Sequence, residues 1–160
     1  MITEDQEFQE YESFAKKMEA KYPKMFSGRY GGFATGKGWW PMLETLCGVI
    51  QSHIDHTNSQ RERLLVKNEY DHPIPDAVQQ VTVDQIKEKF GTLRFYYTGG
   101  DEFIHGAVWL AESLSGQICE ECGAPGKTRS GGWVRTLCDT HEAEREAKAI
   151  AYARENGLEE

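Results

Sequence analysis

The sequence predicts an α+β fold: a small helical domain with a β-hairpin, followed by a C-terminal treble-clef-like zinc finger. Three observations carry this expectation. Cysteine and histidine stand in two short pairs, Cys119-x2-Cys122 and Cys138-x2-His141. Apolar residues recur at helical spacing in separate stretches near the N-terminus, after Pro41 and after Asp101, and they alternate between Val81 and Thr98. The domain expectation is an α+β core over 1–115, with the finger and a last helix over 116–160 packed on it.

The first helix is expected over about residues 4–20. Thr3-Glu-Asp-Gln6 has the form of a capping box, and Phe8, Tyr11, Ala15 and Met18 follow at helical spacing. Its acids Glu4, Asp5, Glu7, Glu10 and Glu12 crowd the N-terminal end, where the helix dipole favours them. They read as a solvated face, with a partner-binding or nucleic-acid-mimicking surface as the alternative. Tyr22-Pro23 ends the helix.

Residues 27–40 form a loop rich in glycine and aromatic residues. Gly31-x4-Gly36-Lys37 falls one residue short of a phosphate-binding loop, because Gly38 stands where a magnesium-holding Ser or Thr belongs. Two readings remain open. The aromatics fold into the core, or glycine amides and the faces of Tyr30, Phe33, Trp39 and Trp40, with Lys37, form a wall that contacts a nucleotide or a partner.

Pro41 suits the first turn of a second helix, and Leu43, Leu46, Cys47, Ile50 and Ile54 mark its buried stripe. Cys47, alone in an apolar run, reads as a small core residue rather than a nucleophile. His53 and His56 near the helix end read as polar groups that complement the dipole, with a shared metal as the alternative. Thr57 to Gln80 is polar, contains Pro73 and Pro75, and reads as a connection with a helical turn across Arg61 to Val66; Arg61, Arg63 and Lys67 are partly offset by Glu62 and Glu69.

Two strands, Val81 to Phe90 and Thr92 to Thr98, are expected to meet near Phe90-Gly91. Alternation puts Leu93, Phe95 and Tyr97 on one face and Arg94 and Tyr96 on the other, where they either pack on a neighbour or belong to a site. Asp101 is a good N-cap for a third helix, whose Phe103, Ala107, Leu110, Leu114 and Ile118 follow the helical period into Cys119.

Three thiols and one imidazole at these spacings suit a tetrahedral zinc site, since each two-residue spacer aims two ligands at one ion. Gly123 supplies positive φ where the knuckle folds back, a short hairpin turns around Ser130-Gly131-Gly132, and Trp133 to Leu137 returns as a strand. Cys138 and His141 share one face of the first turn of a helix that runs to Asn156-Gly157, with Glu144 and Lys148 spaced to pair. Four protein ligands, Cys119, Cys122, Cys138 and His141, close the coordination sphere, so one structural Zn2+ is expected.

Composition sets bounds on partners and compartment. Charged residues make up 28% of the 160 and the apolar set 39%, which suits a folded chain and argues against wholesale disorder. No apolar run is long enough to cross a bilayer and the acidic start lacks the flank of a signal peptide, so a cytoplasmic setting is expected. The formal charge of −8 disfavours extended nucleic acid. In the finger, Lys127, Arg129 and Arg135 balance Glu120, Glu121 and Asp139, leaving a locally basic hairpin tip as a candidate surface.

The segments Cys119-x2-Cys122-Gly123 and Thr136-Leu137-Cys138-x2-His141 resemble the finger of the DksA/TraR-like transcription regulators. Those proteins carry cysteine where His141 stands and hang the finger on a long helical hairpin. A longer resemblance, through Gly36-Lys-Gly38-Trp39, Lys87-Glu-Lys-Phe-Gly-Thr-Leu-Arg-Phe-Tyr96 and the finger to His141, is to small proteins of bacteriophages and prophages. It implies a bacterial host cytoplasm and no particular activity.

The function expected first is a non-enzymatic zinc-binding protein that engages a host or phage macromolecule, most readily a protein, in a setting such as counter-defence. One alternative is transcription-linked or nucleic-acid binding through the finger. The other is binding or sequestering a nucleotide through the Gly/aromatic loop with Arg94 and Tyr96.

Overall fold

Residues 4–67 and 73–157 are described in a computed structural model of the chain, with side chains from Asp5 onward. The order of elements is α1 (Glu4–Lys21), β1 (Phe33–Ala34), a 3-10 turn (Lys37–Trp39), α2 (Trp40–Lys67), β2 (Gln79–Lys89), β3 (Thr92–Gly100), α3 (Glu102–Ser115), β4 (Lys127–Arg129), β5 (Arg135–Leu137) and α4 (Asp139–Glu155). This is the α+β composition that the sequence predicts. Thr3 of the expected capping box, the Glu4 side chain and Glu69 lie outside the described residues.

Strands β2 and β3 form the expected antiparallel hairpin, with Ile86 opposite Phe95 and Lys87 opposite Arg94. Both turn residues have positive φ, 54° at Phe90 and 78° at Gly91, which is the geometry of a tight hairpin turn whose twist matches its strands. The glycine-rich loop adds a two-residue strand, β1, parallel to β2, with Phe33 opposite Ile86. The sheet order is β1-β2-β3, so the outer N–H groups of β3 face no strand. Helix α3 covers that edge: Leu93 N–H donates to Ser115 Oγ at 2.8 Å and Phe95 N–H to Glu112 Oε1 at 2.9 Å.

The inward residues Val81, Val83, Ile86, Leu93 and Phe95 bury against the predicted α2 stripe. Cys47 is fully buried there, and that burial, with a smaller push from Glu44, moves its thiol up to about 12, so it is an inert core residue. Helix α1 closes the core with Phe14 and Met18, joined by Tyr22 just past its end and flanked by Tyr11 and Ala15. Phe8, expected on that stripe, is exposed; the helix is rotated so that Phe14 takes the buried place.

Two further expectations are corrected. Helix α2 does not stop near His56 but continues to Lys67, because no glycine or proline interrupts the extension and a segment returning from far along the chain packs on it. The returning segment is fastened along this extension. Asn58 exchanges two hydrogen bonds of 2.9 Å with the backbone of Val78, and Arg61 donates to Pro75 O at 2.8 Å. In α3 the period is as expected and the face is not. Ile104, Val108, Ala111 and Ser115 are buried, leaving Phe103, Leu110 and Leu114 exposed. The helix is apolar on both sides, so periodicity could not choose between them. Ser115 and Glu112 decide it through their bonds to the edge of β3.

Candidate metal centre

Asp101 caps α3 as predicted, accepting from Ile104 N–H at 3.1 Å, and the helix ends at Gly116 just before the first thiol. The chain then folds into a knuckle. Cys119 N–H donates to Ala124 O at 2.7 Å, Gly123 N–H to Cys119 O at 2.8 Å, and Gly123 takes φ 79°. Strand β5 runs beside it, with Glu120 N–H on Thr136 O at 2.9 Å, and delivers Cys138 as the N-cap of α4, with His141 in the first turn.

Side-chain donors of Cys119, Cys122, Cys138 and His141 thereby all lie within 4.8 Å of one another and could hold a metal ion. Cys119 is buried, Cys138 and His141 are half-buried, and Cys122 is exposed. Cys119 Sγ lies 3.5 Å and Cys138 Sγ 3.2 Å from His141 Nδ1, and Cys122 Sγ lies 3.9 Å from Cys138 Sγ. The last distance is far beyond a disulfide bond of about 2.05 Å, so the thiols are free. The other imidazole nitrogen, Nε2, faces Glu144 Oε2 at 3.9 Å, beyond hydrogen-bond distance. Glu144 is therefore turned toward His141, and the expected pair with Lys148 is not formed.

The site favours thiolate at one position. The backbone N–H of His141, helped by its ring and by the neighbouring thiols, brings Cys138 down to about 7. At Cys122 the Ala124 N–H favours thiolate, but desolvation by the neighbouring groups and the hydrogen bonds to Cys119 and Cys138 outweigh it and raise the thiol. A metal bound here would displace the remaining thiol protons, so its affinity rises with pH.

Glu120, between the two knuckle cysteines, joins this centre to the core. Its carboxylate is buried, accepts Gly36 N–H at 2.9 Å on Oε1, and holds the Arg135 guanidinium at 3.2 Å on Oε2. Its carbonyl accepts Gly38 N–H at 2.7 Å, and Trp39 Nε1 donates to Ile118 O at 2.8 Å. A Cβ on Gly38 would overlap the carbonyl oxygens of Cys119 and Glu120 and the amide of Gly123; one on Gly36 would overlap Glu120. Glycines 36 and 38 are there to let two backbones meet, which accounts for the near match to a phosphate loop. A second junction lies at the β2–β3 turn, where buried Thr136 donates its hydroxyl to Gly91 O at 2.6 Å.

The expected contact residues separate into three groups. Phe33 and Trp39 are buried, and Tyr30 packs on the core with its hydroxyl on Glu19, so none of these rings offers a free stacking face. The loop serves the core because Phe14, Phe26 and Phe33 cluster, with ring centroids 4.9 Å and 5.5 Å apart at Phe33. Lys37 and Trp40 border a groove of about 650 Å³ that also reaches Cys122 and His141, with Lys37 paired to Glu10 at 2.9 Å. Arg94 and Tyr96 lie on the outer face of the hairpin, as alternation predicts.

Among the described residues, His53 and His56 belong to no cluster of three or more metal-ligating side chains. His53 Nε2 bonds Asp101 Oδ2 at 2.7 Å and its ring stacks on Phe103, while His56 is exposed. The finger's cations are consumed locally, Lys127 and Arg129 by Asp139 and Arg135 by Glu120 and Glu121, so the basic tip is neutralised. Glu120 and Thr136 were missed in the sequence because a glutamate and a threonine carry no spacing signal of their own. No helix among the described residues is long and apolar enough to cross a membrane. No protein-family model, curated protein or solved structure matches the chain.

Proposed function

We propose that this is a phage-type accessory protein that performs no turnover: one structural Zn2+ fastens the finger to the core, and the resulting rigid body binds a protein partner of host or phage in the bacterial cytoplasm. Counter-defence is the setting we infer. The donor spacing supports zinc. Zn–S bonds of about 2.3 Å and a Zn–N bond of about 2.0 Å at tetrahedral angles require S···S near 3.8 Å and S···N near 3.5 Å. The distances of 3.9 and 3.5 Å fit that requirement, and the third, 3.2 Å, falls about 0.3 Å short of it. Four protein donors leave no coordination position for a reacting water, which supports a structural ion.

The single observation that carries the binding role is the outward face of α3. Phe103 is 53% exposed, Trp109 74%, Leu110 59% and Leu114 41%. Large apolar side chains left exposed together on one helix mark an interaction site, and aromatic anchors dominate such contacts. The outward side of the helix carries Glu102 and no lysine or arginine, Glu112 being turned to the edge of β3. A second copy would set acid against acid, whereas a partner with an apolar groove and a cationic rim would match it.

Photo-crosslinking tests this reading. A benzophenone side chain at position 110, in cells of the bacterial host, is expected to give an adduct with one protein that disappears when Leu114→Asp is added. An adduct only with a second copy of the chain, or none, overturns the partner assignment. Elemental analysis is expected to find one equivalent of zinc, lost in Cys122→Ser; another metal, or none, overturns the cofactor assignment.

A further inference from the structure

Two hairpins carry cations, and they handle them differently. On β4–β5 every cation is paired with a carboxylate. On the outer face of β2–β3, Lys87, Lys89 and Arg94 make no ion pair among the described residues. The two lysines rest instead on rings, Lys87 Nζ 5.3 Å from Tyr96 and Lys89 Nζ 5.4 Å from Phe90, and Arg94 donates to Thr92 Oγ1 and Leu93 O at 2.7 Å.

Two local choices on this face lower stability, and a third residue beside it, on the finger, is left exposed. Phe90, 70% exposed, occupies a left-handed position at φ 54° where Asn or Gly is cheaper. Lys87 and Arg94 stand directly opposite each other, a like-charge pair that disfavours the hairpin. Trp133, 73% exposed, is held outward from the finger by Glu88, which accepts its indole N–H at 3.1 Å while its other oxygen takes Gly91 N–H. Departures from the locally stable choice that converge on one surface mark a functional site. Phe90, Trp133, Lys89 and Val134 line a cleft of about 410 Å³ there, large enough for a planar ring system.

We infer that this face binds single-stranded nucleic acid, with Phe90 and Trp133 stacking bases at the hairpin tip, Tyr96 stacking one at the far end, and Lys87, Lys89 and Arg94 meeting the phosphates between. Exposed rings interleaved with unpaired cations are what a flexible strand needs, since every base has a face to stack and every phosphate a charge to neutralise. From Thr92 to Tyr96 the strand extends about 13 Å at about 3.3 Å per residue, with the Phe90 turn beyond it. A mononucleotide would cover only part of that length. A duplex would keep its bases stacked inside and unavailable to the rings. The chain's charge of −8 opposes phosphate in bulk, and these three unpaired cations supply the local exception. This site is separate from the α3 face and stands or falls independently of it.

Fluorescence anisotropy with the zinc-loaded full chain and a labelled 12-mer of deoxythymidine tests the inference. Binding is expected, with log Kd rising against log salt at a slope of about 2 for three phosphate contacts. Phe90→Asn should weaken binding about tenfold, the effect of losing one stacked base, while holding or raising the melting temperature because the turn favours Asn. If that variant fails to fold, Lys87→Gln with Arg94→Gln replaces it, and should remove most of the salt dependence. No binding, a Phe90→Asn or double variant that binds like the original, equal affinity for duplex or for thymidine monophosphate, or equal competition by polyglutamate would each overturn the assignment.

Discussion

The amide of Gly38 donates to the carbonyl of Glu120 at 2.7 Å, and this bond between a loop of the core and the turn of the metal knuckle occupies space that no side chain could share. The carboxylate of Glu120 reaches Gly36 in the same direction, so one residue binds two glycines far away in sequence. The knuckle turn and the core are therefore one packing unit.

Gly38→Ala should destabilise the protein by about 3 kcal/mol, the upper end for overpacking, because the obstruction is backbone on every side and cannot rotate away. Urea denaturation should show the loss together with a fall in bound metal. Gly28→Ala, whose added carbon meets nothing within 4 Å, should change stability by less than about 0.5 kcal/mol. Equal midpoints for the two variants would show that the junction yields.

Glu120→Ala and Glu120→Gln separate two jobs of one carboxylate. Glutamine keeps an acceptor for Gly36 N–H and loses the charge opposite Arg135; alanine loses both. Losing hydrogen bonds to a charged group costs about 2 kcal/mol, and Arg135 keeps Glu121, so alanine should approach that loss and glutamine should show only part of it. Equal melting temperatures for the two would assign the whole effect to Arg135.

The sequence made the four donors, the hairpin, the N-cap at Asp101 and the α2 stripe legible, since each is a pattern of spacing or a local rule. It left three things unread. The face of α3 depends on Ser115 and Glu112 meeting the edge of β3, a contact between distant residues. The length of α2 depends on Asn58 and Arg61 fastening a returning segment. The glycines of the 36–38 loop resembled a phosphate cradle because close approach to a phosphate and close approach to another backbone demand the same residue.

Chelation of the metal should loosen more than the finger. Since Trp39, Gly38 and Gly36 bond to residues 118–120 and Thr136 bonds to Gly91, amide exchange should quicken at the 36–39 loop and the 90–91 turn as well as in 117–141. The middle of α2, whose stripe packs on the sheet, should keep its protection. Faster exchange confined to the finger would mean that the two parts open separately.

Acid should reveal the Asp101–His53 contact. Burial works against the Asp101 carboxylate, yet the hydrogen bond with His53 and the N–H of Ile104 hold it below its ordinary value of about 3.9. A carboxylate lowered in the folded state adds stability that is complete above the ordinary value and lost as pH falls through the lowered one. Asp101→Ala should therefore cost about 1 kcal/mol at pH 6, the usual effect of losing an N-cap. Asp101→Asn, which still caps, isolates the ionic part, and its gap to the original chain should close as pH drops below about 3.9. Both chains lose any bound metal in acid, so comparing their urea midpoints at each pH cancels that effect. A gap unchanged from pH 6 to pH 3 would show that the charge on Asp101 contributes nothing and that His53 is held by its stacking on Phe103 alone.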